Sequence, residues 1–162
     1  MLLYSIVKQQ YKMITFKPIE TYDAIVEIFK NKKNWDLLHE CIENSKEVIE
    51  KNGEIYFDTD YDELYYINDK DYIWIGGYED EKLCFLQLIH KPVRNRLELV
   101  VAEKKSTVKT KNWFKMLVDY VEELYPKLKS IITLPMNDKL RDYYKTFGFV
   151  DYKHGEIKLA LN

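Results

Sequence analysis

A chain of 162 residues with 46% apolar content is one domain's worth of globular protein, and nothing in it is repeated or low in complexity. The formal net charge of −2 excludes a whole-chain field that would draw it onto nucleic acid or membrane, so any basic surface has to be local. No segment approaches the ~20 apolar residues that cross a bilayer, and the early run of Leu2, Leu3, Ile6 and Val7 is cut off by Lys8, Gln9 and Gln10.

The expectation is therefore a soluble, cytoplasmic, single domain over 1–162, with no membrane partner. Met13 offers an alternative start, which would make residues 1–12 an N-terminal extension. Cys41 and Cys84 have no Cys-x-x-Cys partner and no histidine at ligand spacing, so free buried thiols are expected. The 14 tyrosines suit grooves where one end of the ring is dry and the other wet.

Taken in order, Ile14 to Ile19 alternates apolar and polar residues and predicts a first strand. Thr21 then offers an N-cap, and Ala24, Ile25, Ile28 and Phe29 recur on one helical face. A second helical pattern runs through Trp35, Leu38, Cys41, Ile42, Val48 and Ile49, and the turn dipeptide Asn52-Gly53 ends it. Residues 54–71 hold seven acids against Lys70, interleaved with Tyr56, Phe57, Tyr61, Tyr65 and Tyr66. Asp58, Asp60 and Asp62 mimic the start of a calcium loop. Glu63 stands where the glycine should be, however, and Asp69 where the closing Glu should be, so no metal is expected. The stretch reads as a solvated strand or hairpin, or as an acidic aromatic wall that attracts a cationic acceptor.

Three strands follow. Asp71 to Gly77 ends in a turn, Leu83 to His90 is apolar throughout and so belongs to a sheet covered on both faces, and Leu97 to Ala102 comes after a turn with Pro92 and Asn95. A loop from Glu103 to Lys111 carries Lys104, Lys105, Ser106, Thr107, Lys109, Thr110 and Lys111. A helix from about Asn112 then runs through Trp113, Met116, Leu117, Tyr120, Val121 and Leu124 to Pro126. His39, His90 and His154 have no partners at useful spacing and are expected to be structural.

The last part of the chain is the most informative. Ile131 to Leu134 is a β-branched buried run, and Pro135 stops it. Asn137 or Asp138 caps a helix with Leu140, Tyr143, Tyr144 and Phe147 on one face. Gly148 supplies a left-handed stop, and Val150 to Leu161 is extended. Asn137, Tyr144, Gly148 and Phe149 match the N-(six residues)-Y-x-x-x-G-F signature near the C-terminus of the Gcn5-related N-acetyltransferases, and the chain resembles that family. The order of its elements along nearly the whole length agrees.

The resemblance implies an α/β (α+β) fold, a mixed and mostly antiparallel twisted sheet with helices on both faces. It implies acetyl-coenzyme A as co-substrate and an amine, on a small molecule or a protein, as acceptor. Tyr144 would protonate the departing thiolate and Asn137 would lie by the cofactor arm. Backbone amides near Val100 and Val101 would hold the thioester carbonyl, and the loop after the third strand would hold the pyrophosphate. Sharing of C-terminal strands in a homodimer is a feature of such proteins.

The departure lies in that loop. The family places glycines there, yet no glycine occurs between Gly77 and Gly148, so the lysines and hydroxyls of 104–111 would have to take the phosphates. Two readings remain open on that ground: an active enzyme, or an inactive member of the fold that binds a partner through its acidic, tyrosine-rich surface. Glu98, the sole acid inside the third strand, is the candidate base, with solvation or pairing to Arg96 as its plain alternatives. Nucleic acid is not expected as a partner, since no recognised motif accompanies the lysines between 104 and 115.

Overall fold

A computed structural model of the chain describes residues 14–20, 23, 48–51, 54–57, 70–105, 108, 110 and 112–162. The strands are β1 (Thr15–Ile19), β2 (Val48–Lys51), β3 (Glu54–Phe57), β4 (Tyr72–Glu79), β5 (Lys82–Val93), β6 (Arg96–Lys104), β7 (Ser130–Thr133), β8 (Val150–Asp151) and β9 (Ile157–Ala160). Seven of them form one sheet in the order β1-β4-β5-β6-β7-β9-β8, and β2 pairs with β3 as a separate hairpin. Helices α1 (Trp113–Leu124) and α2 (Asp138–Lys145) are the long helices among the described residues. All pairings are antiparallel except β6 with β7. The expected mixed, mostly antiparallel α/β sheet is what the chain forms.

Most of the departures from expectation have a local cause. Val48 and Ile49, placed on a helix by their periodicity, pair with Phe57 and Tyr56 in the β2–β3 hairpin. Cross-strand partners settle the conformation of so short an apolar run. Gly76 and Gly77 do not turn the chain; β4 continues through them to Glu79. A Cβ on Gly77 would come within 2.8 Å of both Phe16 and Phe85, so the glycine permits close packing between three strands. The turn instead falls on Asp80 and Glu81, with φ of 52° and 65°, and the next one on Arg94 and Asn95, with φ of 53° and 62°. Both are two-residue hairpin turns of the primed kind, whose twist suits the strands they join.

Pro18 sits inside β1 because β1 is an edge strand, paired with β4 alone. The final extended run is broken into β8 and β9 by a turn at 152–156, where His154 and Gly155 take φ of 54° and 79°. β9 slots between β7 and β8.

Two helical patterns expected between β1 and β2, the calcium-like run at 58–62 and Cys41 lie outside the described residues, except that Asp23 is helical. The core face of the sheet carries Phe16, Ile75, Phe85, Ile89, Leu97, Leu99, Ile131 and Ile157, packed against Trp113, Phe114, Leu117, Val118 and Val121 of α1. Rings run through it without a break. Phe16 lies 6.1 Å from Phe85, Phe85 5.3 Å from Trp113, and Phe114 4.4 Å from Phe147. Trp74, Leu86, Leu88 and Ile132 point to the other face and are buried as well, as a sheet covered on both sides requires.

Cys84 is buried and free, as expected, and donates from Sγ to the Gly77 carbonyl oxygen at 3.5 Å. Burial, with the Glu79 carboxylate adding to it, pushes its thiol up to about 11. No helix among the described residues is long and apolar enough to cross a membrane.

Candidate active site

The parallel pair β6 and β7 opens partway along its length. Arg96, Leu97, Glu98 and Leu99 pair with Ser130, Ile131, Ile132 and Thr133, and there the ladder stops. β7 ends at Thr133, with Pro135 two residues on, while β6 continues to Lys104 paired only with β5. On its other side β6 slips by one residue. Leu88 faces Val101 and Ile89 faces Leu99, so Val100 is an extra residue. Such a bulge bends its strand and leaves a backbone group out of the ladder. The bend falls where β7 drops away, so the strands part just past Leu99 and Thr133.

Thr133 marks the point of parting. Its buried hydroxyl donates to the Leu99 carbonyl oxygen at 2.8 Å. Thr133→Val keeps the shape but leaves that carbonyl without its donor, an expected loss of about 1–2 kcal/mol. Urea denaturation checks this; an unchanged midpoint would mean the bond contributes nothing.

Both helices start at this end of the parallel pair, the crevice where open α/β sheets bind ligands. The N-cap of α1, Asn112, makes no side-chain cap bond, and the first turn has no acid. The positive end of α1 is thus uncountered from within that turn, which favours an anion. α2 differs: Asn137 Oδ1 accepts from the Leu140 amide at 2.8 Å, and Asp138 stands in its first turn. Asn137 is therefore the cap, as expected, and its amide nitrogen is not used by the cap bond.

Tyr144 is 7% exposed, its ring against Phe114, Phe147 and Phe149 on the core face. Tyr143, expected on the same apolar stripe, is 41% exposed and instead accepts from Trp113 Nε1 at 3.1 Å, tying α2 to the first residue of α1. Gly148 takes φ of 106°, the left-handed stop its position predicts.

The described residues of the lysine-rich loop make their contacts with β4 and β5. The Lys105 amide donates to the Cys84 carbonyl at 3.0 Å, Val108 is buried in the core, and Thr110 Oγ1 donates to Glu79 at 2.9 Å. Thr110 spends its hydroxyl proton on Glu79, so it is not poised to donate to a phosphate. Lys104 and Lys105 are half-buried at the base of the loop, and Ser106, Thr107, Lys109 and Lys111 lie outside the described residues.

Glu98 alternates with Leu97 and Leu99, so it belongs to the face opposite the core cluster that holds Tyr144. The structure does not set the two side by side, and Glu98 makes no ion pair with Arg96 among the described residues. His90, as expected, is structural: its Nδ1 lies 2.6 Å from the Lys91 carbonyl, and its ring meets Tyr72 edge-on. The feature that the sequence hides is the bulge, since Leu97 to Ala102 is apolar apart from Glu98 and lacks glycine. Thr133 was a legible signal, a lone hydroxyl closing a buried run.

Solved structures share this fold across nearly the whole chain. An acetyltransferase from Thermus thermophilus superposes with a TM-score of 0.60 at 9% identity, over 92% of this chain and 97% of that one. A spermidine N-acetyltransferase from Vibrio cholerae gives 0.54 at 16% identity, over 91% and 93%. A PaiA N-acetyltransferase from Thermoplasma acidophilum, solved in complex with coenzyme A, gives 0.53 at 14% identity, over 92% and 99%. No family model and no curated protein matches the sequence. At these identities the likeness is one of fold, and the fold is that of the Gcn5-related N-acetyltransferases.

Proposed function

We propose that this chain is an acyl-coenzyme A-dependent N-acetyltransferase that passes an acetyl group to a primary amine by direct attack. The observation that carries it is the coincidence of the β6 bulge with the end of the β7 ladder, followed in the chain by a helix α1 whose start has no side-chain cap and no acid in its first turn. Acetyl-coenzyme A would supply an activated acyl carbon joined to a good leaving group. Backbone amides around Val100 and Val101, just past the last β6 residue that β7 pairs, would donate to the thioester oxygen as charge develops on it. Lys104 and Lys105, with the α1 start, would neutralise the phosphates, and Asn137 would offer its amide nitrogen to the cofactor arm.

The acceptor's nitrogen bonds to the acyl carbon as the carbon–sulfur bond breaks, and the bonding pair leaves on sulfur. Tyr144 gives its phenolic proton to that sulfur. The proton lost by the amine goes to Glu98, directly or through water, on the face from which the acceptor would approach. A primary amine suits this attack because its lone pair becomes free once it is deprotonated.

One feature favours a second reading, an inactive protein of this fold that binds a partner. No glycine lies between Gly77 and Gly148 to let backbone close on the phosphates. Calorimetry with acetyl-coenzyme A separates the two. Binding in the micromolar range supports the enzyme, and the absence of heat at millimolar cofactor supports the partner-binding protein.

A further inference from the structure

The chain has little net charge, yet its cations are not spread evenly. Segments 94–96, 127–129 and 152–158 contain Arg94, Arg96, Lys127, Lys129, Lys153 and Lys158 against the single acid Glu156, five net positive charges in a chain of −2. The fold sets 94–96 and 127–129 together at the end of β6 and β7 away from the split, while the 152–156 turn lies past Thr133, since Ile157 pairs with Thr133 and Lys158 with Ile132. The Lys129 amide donates to the Asn95 carbonyl at 2.8 Å, and the Leu161 amide to the Lys129 carbonyl at 2.8 Å.

At the centre of the group is Tyr152, held half-buried in the β8–β9 turn. Arg96 Nη1 donates to its hydroxyl at 3.2 Å. Lys158 Nζ lies 4.9 Å from the ring centroid, Lys153 Nζ 5.5 Å and the Arg96 guanidinium 5.9 Å. Among the described residues none of these three cations has a carboxylate within ion-pair distance. Elsewhere on the surface several cations of the helices are paired: Lys115 with Asp119, and Arg141 and Lys145 with Asp151. Three mutually repelling charges thus surround one phenol, where cations of the helices are paired with carboxylates, an arrangement that favours an anion.

We propose that this face docks a nucleic acid strand, with Arg96, Lys153 and Lys158 on its phosphates and Tyr152 among them beside a base. Cations supply the sequence-independent affinity of such surfaces, and an aromatic or guanidinium plane supplies stacking. A membrane would call for a broad apolar anchor beside the charge, and the exposed apolar residues that border the group among the described residues are two side chains, Val150 on β8 and Leu134 just past β7. The site lies on the β9 side of the parallel pair, with Lys158 in register with Ile132, and its cations would hold an anion whether or not the chain transfers an acyl group.

The test is fluorescence anisotropy of the full chain with a labelled single-stranded oligonucleotide across a salt series. Binding is expected to weaken as salt rises, by about 0.7 in log K per log salt for each phosphate contact. Arg96→Ala with Lys158→Ala is expected to weaken it roughly tenfold or more and to lower that slope by about 1.4. Lys153→Glu, in an exposed turn away from the core, is expected to weaken it without moving the melting temperature. No binding at low salt, undiminished binding by the folded variants, or equal affinity for polyglutamate or anionic vesicles would each overturn the proposal.

Discussion

Tyr144→Phe is expected to cut kcat by roughly 100-fold or more while leaving coenzyme A affinity nearly unchanged. Proton transfer by a positioned side chain typically contributes about 10²–10⁴ in rate, and the substitution removes only the oxygen that would carry the proton. The ring stays, and with it the contacts to Phe114 at 6.2 Å and Phe149 at 5.5 Å, so the fold should persist. Steady-state kinetics with an amine acceptor, alongside calorimetry with coenzyme A, reads both quantities. A variant with full turnover would remove Tyr144 from the chemistry and leave it as a core aromatic. A variant that lost cofactor binding as well would assign it to packing beneath the cofactor rather than to proton transfer.

The largest effect on stability is expected at Phe114. It is 4% exposed and stacked on Phe147, with Trp113, Tyr144 and Phe149 at its edges. Truncation to alanine opens a cavity between α1, α2 and the sheet that these rigid rings cannot collapse to fill. The cost is about 3–5 kcal/mol, a large part of the roughly 5–15 kcal/mol that holds a domain together. In a chain of this size the melting temperature should fall by roughly 10 °C. Phe114 also joins the start of α1 to Tyr144. Activity should therefore fall at temperatures where the variant is still folded, which distinguishes a loosened site from a merely unstable one. A melting temperature within a degree of the parent would show that the ring cluster repacks.

The two predictions probe one assembly from its two sides, chemistry and packing. Sequence reasoning reached much of this assembly because its signals are local. Asn137 as cap, Gly148 as left-handed stop and the apolar run before Pro135 each follow from what one side chain does to its own backbone. The spacing from Asn137 to Phe149 then led to the fold. The glycine pair at 76–77 shows where local reasoning fails. Two glycines signal a turn in isolation, but here the space at Gly77 is filled by Phe16 from one neighbouring strand and Phe85 from the other, and the space at Gly76 by Leu83 and Tyr78. Residues 150–161 fail in the opposite sense. The Gly155 turn signal was present, yet the run of extended residues around it masked the hairpin.

By itself, then, the amino-acid order determined most strand and helix types, the caps and stops of α2, the buried free Cys84 and the likeness to an acetyltransferase. These depend on rotamers, hydrogen bonds and periodicities that operate within a few residues. The tertiary structure alone decided that β7 leaves β6 after Leu99, that Val100 bulges at that point, and that β9 inserts between β7 and β8. It also decided that Glu98 and Tyr144 face opposite sides of the sheet and that scattered cations converge on Tyr152. Each of these is a relation between segments far apart in the chain. Strand pairing fixes it through backbone hydrogen bonds, which carry no record in side-chain type.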